Sequence, residues 1–167
     1  YYSYPHLGLL SIAANLEKEG HKVDYFSTNI HKDPVTALKK NLKNKYDFVG
    51  ISTLSNTIDY ELGLASIVKQ FSLSTKVICG GIHAWMNPEE ILSDKNVDFV
   101  IRGLGEIPFV LLAAKNKLEK IPGLSYKNKS GKILKGVYLP SRSDFKKITS
   151  LLDYTKYEEV YGKVYSF

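Results

Sequence analysis

Phe48-Val49-Gly50-Ile51-Ser52, followed without a break by Thr53-Leu54-Ser55-Asn56-Thr57, decides how the rest of the chain is read. The first five residues are almost continuously apolar. A strand with one wet face alternates apolar and polar side chains, whereas a strand covered on both faces does not. The run therefore predicts a strand buried on both sides, the condition of a parallel sheet flanked by helices. The small polar residues after it make a turn. Thr57 to Phe71 then carries Leu62, Ala65, Ile67 and Val68 as the apolar contacts of a helix.

The same grammar extends in both directions. Downstream, Lys76–Cys79 is a second buried strand ending at Gly80-Gly81. Pro88-Glu89-Glu90 opens a short helix with Asn87 as its cap. Phe99-Val100-Ile101 is a further strand, and a helix runs from about Glu106 to Lys117. Upstream, Asp33-Pro34 starts a helix that reaches about Lys43, with proline at its favoured first position. Val23–Ser27 reads as a short strand. Gly8–Gly20 reads as an amphipathic helix with Leu9, Ile12, Ala13 and Leu16 on one face and Gly20 as its stop.

Repeated β-α units of this length predict an α/β fold: a doubly wound, mostly parallel sheet of the Rossmann-like or flavodoxin-like kind. Such sheets place their first strand near the middle. This chain opens on a loop and a helix, so that strand is expected upstream of Tyr1. After Lys120 the pattern changes. Leu124-Ser125-Tyr126-Lys127 and Lys132-Ile133-Leu134-Lys135 flank Asn128-Lys129-Ser130-Gly131, which predicts a β-hairpin. The expected organisation is a Rossmann-type domain over 1–120, a hairpin extension over 121–136, and a linker over 137–167.

Composition narrows the function classes. Apolar residues make up 44% and charged residues 24%, ordinary values for a globular protein. Runs such as Leu7–Ala14 fall well short of the roughly 20 apolar residues of a membrane span. Tyr1-Tyr2-Ser3-Tyr4-Pro5 lacks the basic and apolar regions of a secretory signal. The lone cysteine, Cys79, excludes an internal disulfide framework and fits a reducing, cytoplasmic setting. The net charge of +6 comes from lysines scattered over helix faces and turns, with only two arginines. No stacking motif or recognition helix accompanies them, so nucleic acid is not the expected partner.

In an open parallel sheet, ligands bind in the loops outside the carboxyl ends of the strands. That rule selects Tyr4–Gly8, Ser52–Thr57, Gly80–Asn87 and Arg102–Glu106. The hydroxyl and amide side chains of Ser52–Thr57 serve either a ligand or only a helix cap. Gly80-Gly81 lets a flat ligand lie against the backbone. His83 is either a hydrogen bonder facing that ligand or a satisfied loop histidine, and Trp85 is either a cover for the ligand or core packing. Arg102-Gly103-Leu104-Gly105-Glu106 makes a tight turn in which Glu106 caps the next helix or Arg102 meets a carboxylate or phosphate. There is no Gly-x-Gly-x-x-Gly fingerprint, phosphate loop, nucleophile elbow or zinc spacing. No catalytic constellation and no metal-ligand set is legible.

Taken in order, these segments resemble the amino-terminal cobalamin-binding domain of radical S-adenosylmethionine enzymes. Pro5-His6-Leu7-Gly8-Leu9-Leu10-Ser11-Ile12-Ala13-Ala14 and Leu16-Glu17-Lys18-Glu19-Gly20-His21-Lys22-Val23 are similar to that domain's opening. Asp47 to Ser52, Gly80-Gly81-Ile82-His83 and Val97 to Glu106 resemble its later strands and loops. Ile121-Pro122-Gly123-Leu124-Ser125-Tyr126 resembles its closing segment. The likeness runs from Tyr4 to about Leu152.

The resemblance implies cobalamin as cofactor. It would be held by Pro5, Leu7 and Gly8, by Ser52, Thr53, Leu54, Ser55 and Asn56, by Gly80, Gly81 and His83, and by Arg102, Gly103, Gly105 and Glu106. It also implies a partner barrel in the same protein that binds S-adenosylmethionine and a 4Fe-4S cluster through Cys-x-x-x-Cys-x-x-Cys, a motif this sequence lacks. Gly162 to Phe167 resembles the run into that barrel. The Asp-x-His-x-x-Gly motif, by which many cobalamin domains give cobalt a histidine, is also absent, so binding without a histidine ligand is expected. Two other readings share the fold: a radical enzyme's domain that docks substrate without cobalamin, and a flavodoxin-like binding module. Asp24 and Asp47, at strand edges, are poorly placed to act as the phosphorylated aspartate of a signalling variant.

Overall fold

The computed structural model describes residues 6–148. Its elements are α1 (Leu7–Lys18), α2 (Pro34–Asn41), β1 (Phe48–Ser52), α3 (Ile58–Phe71), β2 (Lys76–Gly80), α4 (Ile82–Met86), α5 (Pro88–Ser93), β3 (Phe99–Ile101), α6 (Glu106–Ala113), β4 (Leu124–Lys127), β5 (Ile133–Leu134) and α7 (Arg142–Lys147). One five-stranded sheet has the order β1-β2-β3-β4-β5. β1, β2 and β3 are parallel, with Phe48 opposite Lys76 and Cys79 opposite Val100. The hairpin joins the same sheet antiparallel, with Ile101 opposite Leu124 and Tyr126 opposite Leu134.

Successive strand residues point to opposite faces, and here both faces are covered. Val77, Cys79 and Val100 pack with Ala65 and Val68 of α3, Ala84 of α4, and Ile91 and Leu92 of α5. Ile78, Ile101 and Leu124 pack on the other side with Leu16 of α1 and Phe109 and Leu112 of α6. This is the doubly wound arrangement that the apolar runs predict, with one correction. β1, the end strand of the sheet among the described residues, is only half-buried and Gly50 is exposed, so it is not the strand buried on both sides that its sequence suggests.

Helix limits follow local chemistry. Asp33 caps α2 by accepting from the Thr36 amide at 3.0 Å, ahead of Pro34. Asn87 makes no side-chain cap on α5. The hairpin turns on Asn128, whose side-chain oxygen accepts from the amides of Ser130 and Lys132 at 3.0 and 2.9 Å.

Three further expectations are corrected. Residues 23–27 belong to no ladder. Val23 packs into the α1–α6 core and Tyr46 donates to Asp24 at 2.7 Å, so half-burial there comes from side-chain contacts without strand pairing. No described residue pairs with the outer edge of β1. The helix expected to reach Lys117 stops at Ala113, where Lys115 adopts a positive φ of 57° and Asn116 donates from its side chain to the Leu111 carbonyl. Finally, a short helix, α4, fills the stretch between Gly81 and Asn87. The stretch expected to be a linker contributes α7 and the buried Tyr138, and its residues after 148 lie outside those described.

Candidate functional site

Loops leave the carboxyl ends of β1, β2 and β3 side by side. The first two are joined through Thr53, which is fully buried. Its amide and its hydroxyl both donate to the Gly80 carbonyl, at 2.7 and 2.8 Å. Its hydroxyl accepts from the Ala84 amide at 3.1 Å, and its carbonyl accepts from the His83 amide at 3.3 Å. Thr53 therefore fastens one loop to the next and presents no group to a ligand.

Gly81 is the tightest point of this junction. It has φ 96° and ψ −172°, a conformation that essentially only glycine adopts. A Cβ there would lie 2.7 Å from the Thr53 carbonyl oxygen and 2.9 Å from its amide nitrogen. Gly80 has room, with the Ile101 carbonyl as nearest atom at 3.9 Å from a Cβ position. The sequence pair thus divides its work: Gly81 makes the turn and Gly80 completes the strand.

His83 faces inward at 5% exposure. Its Nδ1 is 3.0 Å from the Ser55 hydroxyl. Its Nε2 lies 3.3 Å from a carboxylate oxygen of Glu90 without hydrogen-bond alignment. The ring bridges the first loop to α5 and is not available to a metal at the rim. Among the described residues no group of three or more His, Cys, Asp or Glu side chains is placed to hold a metal ion.

Glu61 supports the first loop from below. It is 9% exposed on α3, accepts the Leu54 amide at 2.9 Å with one oxygen and receives the Thr57 hydroxyl at 2.8 Å with the other. Above this anchor, Leu54, Ser55 and Asn56 stand in solvent. Leu54, Ile82 and Met86 are 40%, 58% and 64% exposed; Leu54 lies in the loop after β1, and Ile82 and Met86 are the first and last residues of α4. Large apolar side chains exposed in this way are suited to contact with an apolar ligand. Leu7 and Gly8, at the start of α1, are also exposed, and nothing lies within 4 Å of a Cβ position on Gly8. Pro5 lies outside the described residues.

The third loop is committed to the fold. Arg102 donates through Nε to the Trp85 carbonyl at 3.1 Å, and its guanidinium carbon lies 5.6 Å from the Trp85 ring centre. Gly103, at φ 111°, admits the Tyr138 backbone against it. A Cβ on Gly105 would meet Ile12 at 2.6 Å, so this glycine lets α1 approach α6. Glu106 is buried and accepts the Ser11 hydroxyl at 2.7 Å, tying the same two helices together. Burial pushes the Tyr138 phenol above its ordinary pKa, and the carboxylates of Asp144 and Glu106 act in the same direction.

The sequence profile of the B12 binding domain matches residues 1–113. The chain belongs to the B12-binding domain family. Its first 113 residues hold α1 to α6 and the three loops just described, so the family match and the loop cluster coincide.

Among known proteins, the chain is 29% identical over 156 residues to cytidylyl-2-hydroxyethylphosphonate methyltransferase of Streptomyces wedmorensis, covering 78% of this chain and 29% of that protein. The fold is shared with the cobalamin-dependent S-adenosylmethionine radical enzyme OxsB, solved with aqua-cobalamin bound. There the TM-score is 0.79 at 17% identity, over 96% of this chain and 23% of OxsB. It is shared also with the radical S-adenosylmethionine methyltransferase TsrM from Kitasatospora setae, solved with cobalamin and a 4Fe-4S cluster. That match has a TM-score of 0.69 at 17% identity, over 85% of this chain and 28% of TsrM. The B12-binding domain described here thus spans less than a third of each of these relatives.

Sequence reasoning selected the loops of this domain but missed Glu61, Ile82 and Met86. Glu61 could have been found: with Ala65 and Val68 it makes an i, i+4, i+7 row on the buried face of α3. A carboxylate in such a row needs partners. Ile82 and Met86 left no comparable mark, because an apolar residue in a loop sequence does not say which way it faces.

Proposed function

We propose that this domain binds cobalamin on the rim made by residues 52–57 and 80–83 and presents it to a radical S-adenosylmethionine domain of a longer protein. The observation that carries the reading is the pair of loops locked together by Thr53, with Leu54 exposed after β1 and Ile82 and Met86 exposed on the short α4 after β2. Burying apolar surface there contributes about 25 cal/mol per Å². The exposed Ser55 and Asn56 side chains suit the amide groups at the edge of a corrin ring.

The residues fit cobalamin held by its periphery better than cobalamin held through cobalt. His83, the histidine of the second loop, is buried against Ser55 and Glu90. The cofactor, when bound, supplies a cobalt centre able to carry a methyl group; this chain's residues bind and orient it. Arg102, Gly103, Gly105 and Glu106 act in this reading by fixing the third loop through Trp85, Tyr138, Ile12 and Ser11.

The names of the relatives support a cobalamin-dependent radical enzyme, a methyltransferase above all, as the whole protein, with S-adenosylmethionine and a 4Fe-4S cluster held outside this domain. In that organisation residues 1–120 form the cofactor domain, 121–136 the hairpin and 137–167 the connection to the radical domain. The reading places the protein in the cytoplasm, supported by the single, buried Cys79. No helix among the described residues is long and apolar enough to cross a membrane.

The test is a titration with hydroxocobalamin followed through the emission of Trp85, the one tryptophan, which sits just past Gly81. Saturable quenching is expected. An unchanged emission from folded protein contradicts cobalamin binding at this rim.

A further inference from the structure

We propose that Glu61 is the positioning residue of the cofactor rim: its buried carboxylate sets where Leu54 stands, and through Leu54 the affinity for cobalamin. The inference rests on the cobalamin reading and adds a residue that touches no ligand. Glu61 lies in the first turn of α3 and is buried on the same side of the helix as Ala65 and Val68. A carboxylate there is costly unless both oxygens are satisfied. They are, and both partners belong to the first loop or its end: the Leu54 amide at 2.9 Å and the Thr57 hydroxyl at 2.8 Å.

The two bonds span the loop. One takes the backbone at its first exposed residue and the other takes its last residue before α3. Between them, Ser55 is held from the opposite side by His83 at 3.0 Å. Leu54 is therefore an exposed apolar side chain on a backbone that is tied from within the core. Such an arrangement stabilises the bound shape of a loop before a ligand arrives, which lowers the ordering cost of binding. Thr57 makes no side-chain cap on α3, although a threonine at that position is well suited to do so; its hydroxyl goes to Glu61 instead. The loop geometry thus takes precedence over the local helix cap.

The experiment compares the wild type with Glu61→Gln, Glu61→Ala and Val68→Ala. Val68 is a core residue of the same helix and serves as a control for lost stability alone. Two quantities are read: hydrogen exchange of the Leu54 amide in cofactor-free protein, and the dissociation constant for hydroxocobalamin. The expected result is faster Leu54 exchange and an affinity about ten-fold or more weaker in Glu61→Ala, the scale of losing a hydrogen bond to a charged group. Glu61→Gln, which keeps one acceptor oxygen, falls between it and the wild type. Val68→Ala lowers the unfolding midpoint with cobalamin affinity unchanged.

Wild-type protein that binds hydroxocobalamin, together with Glu61 variants that bind it equally tightly, overturns the assignment of Glu61. Loss of affinity in Val68→Ala matching that in Glu61→Ala overturns it too, since any destabilisation would then suffice. If Glu61→Ala does not fold, Glu61→Gln carries the comparison alone. A wild-type protein that binds no hydroxocobalamin overturns the cofactor reading itself, whatever the Leu54 amide does.

Discussion

The carbonyl oxygen of Thr53 would sit 2.7 Å from a Cβ atom on Gly81, at a point where Thr53 also receives the amide of His83. Two neighbouring strand ends meet here backbone to backbone, and the rim on which Leu54 and Ile82 stand is built on that contact. The atoms in the way are backbone, on a loop whose other groups are already bonded, so neither partner can give ground cheaply.

Gly81→Ala is therefore expected to destabilise the protein by about 1–3 kcal/mol, the cost of a glycine-only conformation forced on a residue with a side chain. Relief of the Cβ contact would also push the two loops apart and weaken cobalamin binding. Denaturant midpoints and a cobalamin titration on Gly81→Ala check both effects. Gly8→Ala, with open space around it and no positive φ, is expected to leave stability within about 0.5 kcal/mol of the wild type.

Asp98 is the charged anchor at the opposite ends of the strands. Lys69 and Lys76 approach its two oxygens at 2.6 and 2.9 Å, and the Val77 amide donates to it at 2.9 Å. Burial alone would raise its pKa, but these hydrogen bonds outweigh burial and hold it below its ordinary 3.8. A lowered folded-state value means stability that is present above the unfolded pKa and lost as pH falls through the folded one. The gap in unfolding midpoint between wild type and Asp98→Asn is expected to be full near neutrality and to narrow once pH drops below 3.8. A gap that does not change with acid would contradict the ion-pair role.

Cys79 lies at the centre of β2 packing, fully buried, and burial pushes its thiol up to about 12, with Glu61 and Asp94 adding to the effect. The thiolate is the reactive form, so the native protein is expected to resist alkylation at neutral pH and to be labelled only on unfolding. Labelling by iodoacetamide, followed by mass with and without denaturant, reads this directly. Rapid labelling of folded protein would mean that β2 opens far more readily than the packing implies.

The Lys76 to Cys79 run was legible because burial on both faces leaves an unbroken apolar signature, whereas Phe48 to Ser52 carries the same signature on an end strand that is only half-buried, with Gly50 exposed. The hairpin was legible because Asn128 and Gly131 supply the turn. Residues 23–27 misled because a short run rich in apolar and aromatic residues reports partial burial and does not name a partner strand. The loop cluster itself followed from where strands end. What each loop residue does was not legible: Thr53, Arg102 and Glu106 belong to types that serve ligand or protein equally well. Only the three-dimensional partners, Gly80, Trp85 and Ser11, tell one use from the other. Tyr138 gave no signal at all, since its burial depends on Gly103 and Gly123, which are distant in sequence.

The most direct test of the central claim is incubation of the folded protein with hydroxocobalamin, removal of free cofactor by desalting, and an absorption spectrum of the protein fraction. The account predicts retained cobalamin whose spectrum shows no histidine nitrogen on cobalt, because His83 is buried between Ser55 and Glu90. A colourless protein fraction would contradict cobalamin binding by this domain. Retained cobalamin with the signature of histidine ligation would contradict the peripheral mode of binding.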